Sequence, residues 1–500
     1  MLERRTSTMP NRDNTGILGN ITWMFSANIV TRLVGLAGQI ILGWLLVPEE
    51  FGVYALAVSL SAFITVLRSG GVAQVAVQKG QEFSANTRLY YRYALAFDFA
   101  AALLLSCLAI PFLLRLSAVG NILLGIAISL PLGTSASIYK AHLLVARRFR
   151  EIAYITLFSS LIWQVSLIGF AASGLGASSF AIPPLLQATF ENIAYRLSAK
   201  PTIEPRLDIQ PTRTEYLQLF RSARWIMAST AMLSLATTGD YFAVGMLTDA
   251  KVVGIYFFAF QLIAAISTPI NSAFETVLPV TFTKLNENQG RQMEACLKVI
   301  RTILITSIPL SIMIMMVAPA VMHPVWQGKW DAAIPSAQIL ALCIPAWLVT
   351  SSIRALLEAR GWWRYRFVLL AIYGVGGMST AALGTLFHNV DLIAVSVTAF
   401  YICFAAALLL LLRGYGVNWR DIAQRCIPAI VINGVALMIS KALSMMINDS
   451  SSYIFTQLVE IVSYLIIALL LNAVFLKDVW SAIVITPCKR LMGTAPNAIR

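Results

Sequence analysis

The chain has 500 residues, of which 58% are hydrophobic and only 12% are charged. This composition lies outside the range of ordinary soluble domains. The formal net charge of +14 would indicate nucleic acid as a partner of a soluble protein, but here the basic residues occupy separate short gaps between apolar stretches. The composition therefore predicts an integral membrane protein without a nucleic-acid partner, whose basic gaps face anionic membrane lipid.

Continuous apolar stretches recur from Ile17 to Phe475. Hydrocarbon cannot hydrogen-bond a polypeptide backbone, so stretches of about 20 apolar residues must cross a bilayer as helices or as barrel strands. The stretches are continuous rather than alternating, which favours helices. We predict an all-α protein with about 14 transmembrane helices, at approximately 17–46, 53–76, 91–114, 119–141, 152–172, 177–197, 222–247, 253–280, 300–321, 333–355, 367–387, 391–412, 427–446 and 453–476.

Lys and Arg fall almost entirely into every second gap between these predicted spans. Of the 37 basic residues, 31 lie on the side of the N-terminus, four lie on the opposite side, and two, Arg32 and Arg68, lie within spans. Basic residues are retained in the cytoplasm, so both termini are predicted to be cytoplasmic. Residues 1–15 show no pattern of a cleaved signal peptide.

Two self-matches divide the chain. Residues 43–57 align with 245–259, and residues 143–147 align with 356–360. Both pairs keep the same membrane orientation, which predicts two parallel six-helix lobes related by an axis along the membrane normal. The predicted divisions are an N-terminal lobe with a cytoplasmic linker at 1–217, a C-terminal lobe at 218–413, and two extra helices with a cytoplasmic tail at 414–500.

Two arginines in the first helix pair are the main functional signal. An ionisable side chain within a span costs about 2.5–3.5 kcal/mol on insertion scales and usually marks function. Asn28, Arg32 and Gln39 are spaced to share one helix face, and Arg68 is predicted to share a helix face with Thr65. Two such cations indicate an anionic ligand, and the planar guanidinium suits phosphate especially well.

The equivalent helix pair of the second half is polar but differently charged. Asp240 lies in span 222–247, and Asn271 and Glu275 align on span 253–280. Asn271 is a candidate sugar contact together with Asn28 and Gln39, whereas Asp98, Asp240 and Glu275 are candidates for ion coupling. Two alternatives stay open. The arginines could pair with Asp98 or Asp240 and only hold helices together, or these carboxylates could carry protons, because burial raises a carboxyl pKa.

Cofactors and metals are not expected. The six cysteines are widely spaced and include no CxxC pattern, so neither disulfides nor zinc are predicted. The three histidines, His142, His323 and His388, fall in or beside loops and form no cluster.

Several segments resemble the oligosaccharide flippases of the Wzx type, within the superfamily of multidrug extruders and the lipid II flippase. The fairly specific element is Pro48-Glu49-Glu50-Phe51-Gly52, within a similar stretch from Thr31 to Tyr54. Softer similarities lie at 68–80, 143–150 and 277–282, so that the resemblance covers about 400 residues.

The resemblance implies translocation of an undecaprenyl-diphosphate-linked oligosaccharide across the bacterial inner membrane. Members of this family are expected to expose a cationic cavity alternately to the two membrane faces. Arg32 and Arg68 match this expectation, whereas the second half departs from it by carrying Asp240 and Glu275. A polysaccharide polymerase or export complex is a further expected partner.

Three other functions stay open. An ion-coupled efflux transporter for drugs or metabolites would need a carboxylate-rich cavity, which Arg32 and Arg68 disfavour. A membrane polymerase, ligase or glycosyltransferase would need a large external loop, and the neighbouring carboxylates Glu49 and Glu50 are predicted to lie in a solvated turn. A structural scaffold would not explain charges within spans, and we predict a transporter rather than an enzyme.

Overall fold

The computed structural model of the protein describes residues 13–72, 75–76, 83, 86–146, 148–199, 212–285, 288–415, 417–447 and 453–475, with the side chains of 13–28 outside the described part. All regular structure in these ranges is helical, which confirms the all-α prediction. The helices are α1 (Asp13–Leu45), α2 (Pro48–Thr65), α3 (Thr87–Leu114), α4 (Ala118–Val145), α5 (Phe149–Ala172), α6 (Pro183–Ala199), α7 (Arg213–Leu247), α8 (Ala250–Thr283), α9 (Gln289–Trp326), α10 (Ile334–Ala341), α11 (Cys343–Ala359), α12 (Trp363–Thr385), α13 (Val390–Leu411), α14 (Trp419–Ile447) and α15 (Tyr453–Phe475).

Many of these helices are suited to crossing a bilayer. Eight in the described ranges are long and apolar enough, or nine if the bent pair Asp331–Ala341 and Cys343–Ala359, at 40°, counts as one span. Each predicted span overlaps one helix, with α10 and α11 sharing the tenth. Helices α2, α6 and α7 are shorter or more polar, and of α1 and α15 only the described segments Ile29–Leu45 and Thr456–Asn472 enter this comparison, so the predicted number of 14 is approximate. The chain is a multi-pass membrane protein.

The described chain forms two compact units, unit 1 (Met1–Ser234) and unit 2 (Leu235–Arg500). In unit 1, α4 packs against α3 and α6, and α1 packs against α5. In unit 2, α8 packs against α11, α12 against α13, and α14 against α15. The units divide within α7, and the lobe boundaries expected at 217 and 413 stay predictions.

The turn between α1 and α2 is built by its local sequence. Pro48 lies in the first turn of α2, where a missing N–H leaves no hydrogen bond unmade. The carboxylate of Glu50 reaches back and accepts a hydrogen bond from the N–H of Val47 at 2.8 Å. Glu49 is exposed. The solvated-turn prediction therefore describes Glu49, whereas Glu50 stabilises the start of a helix.

Helix α2 ends earlier than predicted. The expected span 53–76 placed Arg68 on a helix, but α2 ends at Thr65 and Arg68 begins a 3₁₀ turn that runs to Gly71. Gly70 and Gly71 have φ angles of 55° and 72°, which residues with a Cβ rarely adopt and which no α-helix contains. The prediction that Arg68 continues a helix face with Thr65 was therefore wrong.

Close packing within unit 1 predicts a difference between two glycines. A Cβ at Gly125 of α4 would overlap the backbone carbonyl of Ala181, whereas a Cβ at Gly169 of α5 would meet nothing within 4 Å. We expect Gly125→Ala to lower the thermal unfolding temperature of the purified protein by several degrees. Gly169→Ala should leave it unchanged or raise it, because Ala favours a helix over Gly by about 1 kcal/mol. The unfolding temperatures are measured by tryptophan fluorescence. Equal shifts for the two variants would contradict this packing.

Candidate functional site

One face of α4 in unit 1 carries small and polar side chains. Ser129, Gly133, Ser137 and Lys140 follow one another at spacings of four, four and three residues, which places them on one side of the helix. This face turns towards α6, against which α4 packs. A polar helix face in a membrane unit needs a partner other than lipid, so this side of α4 is a candidate for ligand contact.

The facing side of α6 has the same periodicity. Gln187, Ala188, Glu191 and Tyr195 recur at helical spacing and all lie on the α4 side. Tyr195 is buried, whereas Gln187 and Glu191 are half-buried. The helix therefore presents an amide, a carboxylate and a phenol hydroxyl along one line.

A cavity of about 630 Å³ lies within unit 1 between these two faces. This volume falls in the range of about 300–1,000 Å³ that is typical of small-molecule sites. The 3₁₀ turn after α2, one residue of α5 and the unit 1 part of α7 complete its wall. Its polar lining residues are Thr65, Arg68, Ser129, Ser137, Lys140, Gln187, Glu191, Tyr195 and Thr230.

The guanidinium of Arg68 is placed in this cavity by the turn that ends α2. A Cβ at Gly133 would lie 2.9 Å from its Nη2 atom, so the glycine makes room for the guanidinium against the backbone of α4. Arg68 is exposed, and within the described part of the chain its side chain forms no hydrogen bond or ion pair. Its donors are therefore available to a ligand.

Lys140 is the second cation of the cavity. It lies seven residues beyond Gly133 on α4, which corresponds to about 10 Å along the helix. Its ammonium lies 5.9 Å from the centre of the Tyr195 ring, and no carboxylate among the described residues pairs with it. The cavity thus contains two cations without a carboxylate partner.

The residues predicted on α1 do not line this cavity. Arg32 is exposed and forms no ion pair with any residue that the structure describes. Gln39 is half-buried, and its Nε2 donor has no hydrogen-bond partner. The side chain of Asn28 lies outside the described residues. The structure therefore brings Arg68, but neither Arg32 nor Gln39, to the cavity.

The two deepest carboxylates have hydrogen-bond partners of their own. Asp98 is fully buried and accepts a hydrogen bond from Thr134 at 2.6 Å in unit 1. Asp240 is buried in unit 2, where it accepts hydrogen bonds from the hydroxyl of Tyr256 and the N–H of Tyr241, both at 2.9 Å. Hydrogen bonds of this kind stabilise a buried carboxylate.

In unit 2, the predicted polar face of α8 meets a polar face of α11. The hydroxyl of Ser351 donates to Asn271 at 2.5 Å, and the amide of Asn271 donates to Glu275 at 3.3 Å. Arg354 forms an ion pair with the same carboxylate and donates to Ser351 at 3.2 Å. The four side chains therefore form a closed ring in which Glu275 has a fixed cationic partner. Neither Asn271 nor Glu275 lines the cavity of unit 1.

Sequence reasoning missed both Lys140 and Arg354. Each stands one residue inside the end of a predicted span, at 119–141 and 333–355, and was counted with the cytoplasmic gaps. The count that placed only Arg32 and Arg68 within spans therefore omitted Arg354, which is only 9% exposed. The signal that would have found Lys140 is its helical spacing from Ser129 and Ser137.

Solved structures identify the class of fold. The chain is similar to the lipid II flippase MurJ in an inward closed conformation, with a TM-score of 0.66 and 14% identity over 91% of this chain and 99% of that chain. It is also similar to a multidrug resistance MATE family transporter of the MOP superfamily in the inward-facing conformation, with a TM-score of 0.58 and 14% identity over 79% of this chain and 95% of that chain. The match to an outward-facing structure of such a transporter has a TM-score of 0.52 and 17% identity over 82% of this chain and 96% of that chain. The chain is a multi-pass membrane protein with this fold.

A family model identifies the protein family. The model described as polysaccharide biosynthesis protein matches residues 41–335, more than half of the chain. The chain therefore belongs to this family, which confirms the resemblance seen in the sequence. The matched range includes every residue that lines the cavity of unit 1. No curated protein matches the sequence.

The ring in unit 2 predicts strong coupling between Glu275 and Arg354. Arg354 is nearly buried, so loss of Glu275 leaves a poorly solvated charge without its counterion. A double-mutant cycle of Glu275→Gln and Arg354→Gln should give a coupling free energy of about 1–3 kcal/mol in thermal unfolding. The exposed pair Lys298 and Glu294 is the matched control, with no measurable coupling expected because water screens it. Equal coupling in the two cycles would contradict a structural role for the ring.

Proposed function

We propose that this chain translocates undecaprenyl-diphosphate-linked oligosaccharide repeat units from the cytoplasmic to the periplasmic leaflet of the bacterial inner membrane. The repeat units would serve the synthesis of exopolysaccharide, capsule or O-antigen. Membership of the polysaccharide biosynthesis family and the fold shared with a lipid II flippase support this proposal. No bond is made or broken, so the chain acts as a transporter with both termini in the cytoplasm.

The observation that carries the proposal is the cavity with Arg68 and Lys140. Arg68 and Lys140 are both exposed in the cavity, and neither has a carboxylate partner among the described residues, so their charges attract an anion. A guanidinium can donate two hydrogen bonds to one phosphate, and an ammonium adds a point charge. The diphosphate of the lipid-linked substrate is an anion of this kind. Alternate opening of the cavity to the two leaflets then moves it across.

The remaining predicted residues keep subsidiary roles in this proposal. The hydroxyls of Ser129, Ser137 and Thr230 contact sugar, and the polyprenyl chain stays in the bilayer. Arg32, Gln39 and Asn271, which do not line the cavity, are further substrate contacts, and so is Asn28, whose side chain lies outside the described residues. Asp98, Asp240 and Glu275 stay candidates for ion coupling, although each has hydrogen-bond partners in this conformation.

The test is complementation of a deletion strain, with lipid-linked oligosaccharide and surface glycan as readouts. The deletion should abolish surface glycan and leave lipid-linked repeat units on the cytoplasmic leaflet. Arg68→Gln and Lys140→Gln should each lower rescue by about tenfold or more, because each removes a charge-assisted contact worth about 1.5–3 kcal/mol. Lys298→Gln, which removes an exposed cation of unit 2, is the control and should rescue fully.

Membrane levels of each variant must match those of the wild type before rescue is compared. If both cavity variants rescue fully at equal levels, the cavity is not the anion site. If the deletion leaves glycan unchanged and raises sensitivity to cationic drugs, the chain is an efflux transporter instead. Asp98 and Asp240 would then be the residues to test for ion coupling.

A further inference from the structure

A polar cluster with one aromatic residue lies in the cavity beside the two cations. Ser159 and Trp163 stand four residues apart on α5, and Gln187 and Glu191 stand four residues apart on α6. Each pair therefore lies on one helix face, and α5 packs against α6. Trp163, Gln187 and Glu191 line the cavity, whereas Ser159 is buried behind them.

Hydrogen bonds hold the carboxylate of Glu191 in a fixed position. The hydroxyl of Ser159 donates to its Oε1 atom at 2.5 Å, and the amide of Gln187 donates to the same oxygen at 3.0 Å. The Gln187 amide also donates to Ser159 at 2.9 Å, which closes a triangle. An isolated surface carboxylate would not need two side chains to orient it. The arrangement fixes the direction of the remaining oxygen atom.

Two acceptor oxygens of this cluster accept no hydrogen bond from the described part of the chain. Among the residues that the structure describes, none donates to Oε2 of Glu191 or to Oε1 of Gln187. Both oxygens belong to side chains that line the cavity. A ligand that satisfies them must supply hydroxyl or N–H donors. A ligand carboxylate cannot do so, and it would be repelled by Glu191.

The cluster lies next to the proposed position of the diphosphate. A Cβ at Gly133 would lie 2.9 Å from the Arg68 guanidinium and 4.0 Å from the Cβ of Ala188. Ala188 is adjacent to Gln187 and three residues, less than one helical turn, before Glu191 on α6. Arg68 and Glu191 nevertheless form no ion pair within the described ranges. Anion and acceptor positions are therefore neighbours but separate, as a sugar attached to a diphosphate requires.

We infer that Trp163, Gln187 and Glu191 form a subsite for the sugar bonded to the diphosphate, and that this sugar is neutral. The inference rests on the proposed function and adds the class of the first sugar. The indole of Trp163 offers a flat apolar surface to one face of the sugar ring. Glu191 and Gln187 accept hydrogen bonds from its hydroxyl or acetamido groups. A uronic acid at this position is excluded because its carboxylate would face Glu191.

Binding of defined ligands to the full-length protein in nanodiscs tests this subsite. The three probes are undecaprenyl diphosphate, undecaprenyl-diphosphate-glucose and undecaprenyl-diphosphate-glucuronic acid. Wild type should bind the glucose probe about tenfold more tightly than the glucuronic acid probe, since like charges disfavour the latter. Glu191→Gln should reduce this ratio to about threefold or less by improving affinity for the acidic probe. Glu191→Gln also removes a negative charge beside the diphosphate, so all three probes should gain affinity, and the readout is the ratio between the glucose and glucuronic acid probes.

Two further variants separate this inference from the proposed function. Trp163→Leu should remove the gain that glucose adds over the bare diphosphate, and Arg68→Gln should weaken all three probes alike. Glu151→Gln is the matched control, because Glu151 pairs with Arg148 outside the cavity and carries the same charge as Glu191. It should leave all three affinities unchanged.

The outcomes are distinguishable. If a folded Glu191→Gln variant keeps the wild-type ratio, or if glucose adds no affinity to the bare diphosphate, the sugar subsite is wrong and the anion site stands. If Arg68→Gln binds undecaprenyl diphosphate as tightly as wild type, the proposed function loses its anion site.

Discussion

The attraction of an anion to Arg68 and Lys140, two cations that line one cavity of unit 1, is the interaction on which the site depends. In unit 1, Arg68 and Lys140 line one cavity, and no carboxylate in the described part of the chain neutralises either of them. Local sequence maintains this state. Helix α2 ends at Thr65, Gly70 and Gly71 complete the 3₁₀ turn that begins at Arg68, and Gly133 leaves room for the Arg68 guanidinium. A charge held in this way is suited to an anionic ligand.

In unit 2, the nearly buried cation has a carboxylate partner. Arg354 is neutralised by Glu275, and Asn271 and Ser351 complete the ring of hydrogen bonds. This is the expected solution for a charge that joins two helices, because the guanidinium and the carboxylate neutralise each other and the two neutral side chains bridge them. We propose ligand binding for the arginine of unit 1, whereas the arginine of unit 2 pairs two helices. Glu191 in the cavity adds a carboxylate that is oriented by neutral partners rather than by a cation.

The sequence predicted the fold better than the site. Long apolar stretches and the distribution of basic residues predicted a polytopic helical protein, because hydrocarbon leaves few alternatives for a backbone. The charge of Arg68 identified it in the sequence, but the helix around it was predicted to be too long. Gly70 and Gly71 have positive φ angles that an α-helix does not contain, although the apolar pattern continues through them. Lys140 was missed because a span boundary is uncertain by a few residues. The arrangement of Glu191 and Gln187 depends on hydrogen bonds with Ser159 on another helix, and a single sequence does not reveal that contact.

Transport in reconstituted proteoliposomes tests the central claim most directly. The measurement follows a fluorescent undecaprenyl-diphosphate-linked sugar, whose outer-leaflet fraction is destroyed by a membrane-impermeant reductant. With wild-type protein, the reductant should reach nearly all of the label, because the inner-leaflet half is carried outward. With an Arg68→Gln and Lys140→Gln double variant, about half of the label should stay protected, as in liposomes without protein. Equal loss of label with wild type and the double variant would contradict the claim that these two cations bind the transported anion.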